Sequence, residues 1–134
     1  MGRLNSFEEI EVWKKSMVLC SKVYLFINEW LFSKDFMHRE QIRKSSVSIP
    51  SNIAQGFDRE VNHSFIYFLV ITKGSAREIR TQLTIAKNLN YINEEVFKNI
   101  HNYCLEFNKQ LSGFISYLRQ IRAVKQFSKF FEPS

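Results

Sequence analysis

Two prolines and four glycines in 134 residues leave little material for turns. A loop-rich or many-stranded fold needs such residues at its corners and is disfavoured on that ground. Two cysteines, Cys20 and Cys104, are too few for a disulfide framework. Both fall at apolar-face positions, so they read as free thiols in a reducing compartment. Long apolar runs are missing too. The longest, FIYFLVI at 65–71, is far short of the roughly 20 residues that span a bilayer. The start, MGRLNSFEEIEVW, places acids where a secretory signal would be apolar, and we expect a cytoplasmic protein.

Catalytic patterns are also lacking. There is no G-x-S-x-G, no glycine-rich phosphate loop and no defensible pair of carboxylates. The histidines stand apart at 38, 63 and 101, and the cysteines at 20 and 104, which is no metal spacing. We therefore expect a non-enzymatic protein without cofactor or metal.

What is abundant is apolar and basic. Hydrophobic residues make up 45% of the chain and aromatics 15%, including thirteen phenylalanines, so disorder is disfavoured and long regular elements are favoured. The net charge of +6 is uneven: residues 1–60 carry nine basic and eight acidic side chains, residues 61–134 ten and five. Such an excess suits an anionic partner, nucleic acid above all, although basic proteins without one are common.

Apolar periodicity predicts four helices at about 8–31, 38–56, 62–89 and 94–122, with a basic, aromatic extension over 123–134. In the first, Ser6 and Glu9 form a capping-box signature. Ile10, Trp13, Met17, Cys20, Tyr24, Ile27 and Leu31 form a heptad seam, with Leu19, Val23, Phe26 and Trp30 as a second line beside it. That extra apolar face predicts oligomerisation. The third helix has Asn62 as cap and Phe65, Phe68, Thr72, Ala76, Ile79, Leu83 and Ala86 as its seam. Gly74, Ser75 and Ala76 offer a close backbone approach, and Asn90 can take a left-handed C-cap. The fourth has Asn93 as cap and Phe97, Ile100, Cys104, Phe107, Leu111, Phe114, Leu118 and Ile121 as its seam. Short connections make an all-α, antiparallel up-down-up-down four-helix bundle in one domain.

The stretch SSVSIPSNIAQGFDRE, 45–60, has a loop's composition but a helix's register: Ile42, Ser46, Ile49, Ile53 and Phe57. A catalytic serine lacks partners here. A break before Pro50 would make Ile49 the N-cap, a poor one. The unbroken register favours a helix kinked at Pro50, with Gly56 as its stop. Ser48 and Asn52, with Gln41 and Glu78, read as structural hydrogen-bonding residues. Arg43 is expected to reach acids across the bundle.

Two basic stretches are candidate nucleic-acid contacts. Lys73, Arg77, Arg80 and Lys87 align on one face of the third helix and could neutralise phosphates. Arg119, Arg122, Lys125 and Lys129, interleaved with Phe127, Phe130 and Phe131, could grip RNA by charge and stacking. Solvated faces or packing at a subunit contact are the plainer alternatives.

IEVWKKS at 10–16, QIRKSSVSIPSNIAQGF at 41–57 and GSAREIRTQLTIAKNLNYI at 74–92 resemble the bacterial four-helix family of 23S rRNA intervening-sequence proteins. That family is similar to the accessory variability determinant of diversity-generating retroelements. The resemblance implies a homopentameric bundle without known catalysis, associating with nucleic acid, RNA above all here, or with a reverse transcriptase as a protein-binding scaffold. Gln55, His38, Arg77, Arg80 and Asn90 depart from the family's usual Glu, Leu, small or acidic residues, and Gly.

Overall fold

The computed structural model describes residues 5–28, 34–57 and 63–131. Among them are four α-helices and no strand: α1 (Glu11–Ile27), α2 (Phe36–Gly56), α3 (His63–Asn88) and α4 (Glu94–Phe131), preceded by a short 3-10 turn at Phe7–Glu9. They form a four-helix bundle around one apolar core.

The capping residues near Ser6 start the 3-10 turn and not the helix. The Ser6 hydroxyl accepts from the Glu8 amide at 3.2 Å, and the Glu9 carboxylate accepts from the Asn5 amide at 3.1 Å. Ile10 is extended, so α1 begins at Glu11, three residues later than the periodicity indicates. The buried face of α1 keeps Ile10 and Ile27 of the expected seam but is otherwise the line beside it. Leu19, Val23 and Phe26 are buried, whereas Met17 and Tyr24 are 42% and 37% exposed. The two lines lie side by side, and the one led by Leu19 and Val23 goes in while the more polarisable Met–Tyr line borders solvent. Trp30 and Leu31 lie outside the described residues, as does Asn62.

α2 runs through Pro50 without interruption, and Asp35 caps it by accepting from the His38 amide at 3.2 Å. Hydroxyl and amide side chains bracket the carbonyl of Ser46, which Pro50 leaves without its helical N–H. Ser48 donates to the Ser45 carbonyl at 2.7 Å, Ser51 to Val47 at 2.8 Å and Asn52 to Ser48 at 2.7 Å. Three of the polar residues that enter the core bond carbonyls of their own helices. Ser16, Ser46 and Thr72 each bond a carbonyl one turn back, at 2.6, 2.8 and 2.9 Å.

Two glycine expectations change. Gly56 ends α2 but not by a left-handed turn, since no described glycine has a positive φ. It is needed for proximity: a Cβ there would lie 2.5 Å from Cβ of Phe68 on α3. Gly74 is the reverse case. A Cβ there would meet nothing within 4 Å, so no backbone approaches α3 at that point. The small residue that packs at mid-helix is Ala76, fully buried.

α3 closes as its sequence indicates. Asn90 has φ 60°, the Tyr91 amide donates to Ala86 at 2.8 Å and the Asn90 amide to Lys87 at 3.0 Å. That pair of hydrogen bonds is a Schellman closure with Asn in the glycine position. Asn93 then caps α4, accepting from the Val96 amide at 2.8 Å. The α3–α4 connection is tied to the start of α2. The Tyr91 hydroxyl donates to Asp35 at 2.8 Å, and His38 Nε2 donates to the Gln82 carbonyl at 3.0 Å. His38 is thus buried with a backbone partner.

α4 is the longest element, 38 residues against 26 in α3. At about 1.5 Å per residue these span about 57 and 39 Å. Its inward line Cys104, Leu111, Ile115 and Leu118 continues, at the same spacing, as Arg122, Lys125 and Lys129. The core stripe therefore becomes cationic after Leu118. Val124, Phe127 and Phe130 are 65%, 67% and 82% exposed. The helix is regular through Phe131, so residues expected to form an extension after 122 continue α4.

Candidate nucleic-acid interface

The seam between α3 and α4 gathers most of the basic residues singled out from the sequence. On α3, Ile66, Lys73, Arg80 and Lys87 recur every seven residues and so share a line on the helix. On α4, Glu94, His101, Asn108, Ile115 and Arg122 do the same. Contacts at both ends show that these two lines meet. Lys87 Nζ lies 3.2 Å from the Glu94 carboxylate and 4.6 Å from the centre of the Phe97 ring. At the other end, His63 and Ile66 of α3 line a cavity of about 300 Å³ together with Arg119, Arg122, Ala123 and Gln126 of α4. Between them, Arg80 lies close enough to α4 to act electrostatically on both His101 and Cys104.

The helix-3 stripe and the basic part of α4, separate in the sequence, therefore lie along one seam between the two helices, the α3–α4 groove, which opens into the cavity at its Arg119–Arg122 end. Lys73, Arg80 and Lys87 are half-buried along it and Arg122 is half-buried at its end. Arg77 is exposed at the outer edge of α3, and Arg119 is exposed beside the cavity. Among the described residues no carboxylate forms an ion pair with Lys73, Arg77, Arg80, Arg119 or Arg122, whereas Lys87 is held by Glu94. Lys125 and Lys129 lie further out, exposed on α4 beyond the cavity.

The field of these cations is visible in the groups around them. Burial first, then the Arg80 and Lys87 charges, hold the His101 imidazole below its usual 6.5. Burial pushes the Cys104 thiol up to about 12, with Arg80 opposing. His101 stacks on Phe97 with ring centres 4.9 Å apart and planes 28° from parallel. His101 and His63 carried no signal on their own in the sequence, and Phe97 read only as part of the fourth helix's apolar seam. The seven-residue spacing of His101 from Glu94 and its threefold multiple to Arg122 could have placed it on the groove.

The polar residues around Pro50 lie on another seam, between α2 and α3, and touch each other. Ser48 donates to Ser75 at 2.9 Å and Ser45 to Glu78 at 2.9 Å. Asn52 turns back onto its own helix, and Gln41 is exposed. Arg43 does not reach across the bundle to an acid. It pairs with Glu40 one turn earlier at 2.6 Å, because that carboxylate on its own helix is nearer than any on a neighbour. Glu40 and the Tyr24 hydroxyl push the Arg43 guanidinium further up, and Arg43 draws the Glu40 carboxyl below its ordinary value.

Among the described residues no group of three His, Cys, Asp or Glu side chains is placed to hold a metal, and no helix is long and apolar enough to cross a membrane. Fold and surface together define a four-helix bundle with a basic groove between its last two helices. The chain belongs to the 23S rRNA-intervening sequence protein family, which it matches over residues 8–113. A solved relative is a protein of unknown function from the S23 ribosomal protein family of Bacteroides thetaiotaomicron. It is 28% identical, with a TM-score of 0.68, over 78% of this chain and 97% of that one. No curated protein matches.

Proposed function

We propose that this protein is a non-enzymatic, self-assembling cytoplasmic bundle that binds structured RNA through the α3–α4 groove. The observation that carries this reading is the groove itself. Lys73, Arg80 and Arg122 border it, with Arg77 and Arg119 at its edges, and no described carboxylate pairs with any of them. Unpaired guanidinium and ammonium groups along a cleft bind phosphate oxygens and exchange them for counterions, whatever the sequence of the strand. The family's name, which refers to ribosomal RNA, supports RNA as the polyanion.

The test is RNA affinity against salt concentration. Binding should weaken steeply with added salt. Replacing Arg77 and Arg80 by glutamine should flatten the log–log slope by about 1.5, since each phosphate that a cation neutralises contributes about 0.7–0.9 to it. Absence of binding at low salt would remove the reading and leave a protein-binding scaffold, such as a reverse transcriptase subunit, as its successor.

Self-assembly is supported by an apolar margin along the α1–α2 contact. Cys20 meets Ser46 there, and Met17, Tyr24 and Val47 stand 42%, 37% and 38% exposed beside it. A homopentamer is the assembly that the family resemblance implies.

A further inference from the structure

We propose that Arg80, Lys87 and His101 form one phosphate subsite in the α3–α4 groove, and that RNA bound there is held with uptake of a proton by the His101 imidazole. The inference rests on the RNA-binding reading and adds to it a contact residue and a coupling to pH.

Three observations place His101 in the subsite. It lies on the same seven-residue line of α4 as Glu94 and Arg122, whose surroundings mark the two ends of the groove. Phe97 stacks on its ring at 4.9 Å and fixes the ring plane. Lys87 Nζ, anchored by Glu94 at 3.2 Å, sits 4.6 Å from the centre of the same Phe97 ring, so the ammonium and the imidazole share that ring as a common platform.

The surrounding charges set the direction of the coupling. Burial first, and then Arg80 and Lys87 from α3, disfavour a charge on His101. On its own helix, Glu94 is occupied by Lys87, Lys98 is exposed, and Cys104 is a neutral buried thiol. From α1, Lys22 is turned to Asn99 and the Tyr103 ring. The free groove therefore keeps His101 neutral near neutral pH. A phosphodiester oxygen between the two α3 cations cancels their repulsion and offers the imidazolium an acceptor. The histidine is then protonated in the complex at a pH where it is neutral in the free protein. By linkage, affinity rises as pH falls from above the bound value towards the free one.

The experiment measures affinity of the full chain for a labelled RNA hairpin from about pH 8 to about pH 5.5 at fixed ionic strength, for the native protein and for His101→Gln. The native protein should gain about three- to tenfold across the range, the gain expected for uptake of one proton, and His101→Gln should lose most of that gain while keeping its salt dependence. NMR of the histidine Cε1 protons should show the His101 titration moving up when RNA is added. Inorganic phosphate at the same phosphate concentration should move it far less. A pH-independent affinity that still falls with salt overturns the subsite and leaves the RNA reading standing. Full pH dependence in His101→Gln overturns it as well, as does an equal response to inorganic phosphate. No RNA binding at any pH overturns both.

Discussion

At the scale of single residues, the two mid-chain glycines make opposite demands. Gly56→Ala brings a methyl to 2.5 Å from Phe68 Cβ, and backbone must shift to admit it. Urea unfolding should show a loss of about 1–3 kcal/mol. Gly74→Ala adds a methyl that meets nothing within 4 Å, in a helix interior where alanine is the better former. It should gain about 0.5–1 kcal/mol in the same measurement. Sequence position alone gave the wrong assignment here, because Gly74 has small neighbours and Gly56 has a helix-ending context. Which glycine faces a neighbouring helix depends on rotation about the helix axis, and period alone leaves that open by one line of residues. The same ambiguity explains α1, where Leu19, Val23 and Phe26 are buried in place of the neighbouring Met17–Tyr24 line. It did not arise in α3, whose Ala76, Ile79, Leu83 and Ala86 form a single apolar stripe with polar flanks, and that seam was legible.

At the scale of elements, termini were legible where one side chain decides them. Asn90 and Asn93 close α3 and open α4 by local bonds that need no tertiary context. Alanine in place of Asn90 must hold φ near 60° and should cost about 1 kcal/mol, whereas glycine there should be close to neutral; thermal melts distinguish them. The start of α2 depends on a partner far along the chain. The Tyr91 hydroxyl, then the His38 amide, draws the Asp35 carboxyl below its ordinary 3.8. A depressed carboxyl stabilises the fold above its unfolded value and loses that contribution as pH falls through the folded value. The melting temperature should therefore drop as pH falls below about 4, and Asp35→Asn should show a lower melting temperature at neutral pH with a shallower acid decline. Continuity through Pro50 follows from the register on both sides of it, which outweighed the loop-like composition of 45–60. The length of α4 was not legible, because its seam changes from apolar to basic after Leu118 and pattern reading stops where the pattern changes.

At the scale of the whole molecule, the sequence supplied the bundle and both basic stretches, but not their meeting. Lys87 and Arg119 are far apart in the chain, and only the packing of α3 on α4 puts both along one groove. His101 became part of the site for the same reason. The exposed Met17, Tyr24 and Val47 margin makes a prediction about mass. Light scattering after gel filtration should report an oligomer, with the pentamer as the size that the family resemblance implies, and Tyr24→Glu with Val47→Glu should shift it towards the monomer without loss of helicity by circular dichroism. A monomeric native protein would remove the assembly reading.

The change of the α4 stripe from aliphatic to cationic at Leu118 also divides the molecule as a protease would meet it. Trypsin needs an exposed, locally unfoldable backbone after Lys or Arg. Residues 123–130 are exposed throughout, with Lys125 and Lys129 among them, while the buried line through Leu111, Ile115 and Leu118 holds the preceding turns in the bundle. Brief digestion should first cut after Lys129 and Lys125 and then halt near Arg122, leaving a helical fragment that melts cooperatively. Bound RNA covering the cavity at Arg119 and Arg122 should slow the last of these cuts more than the first.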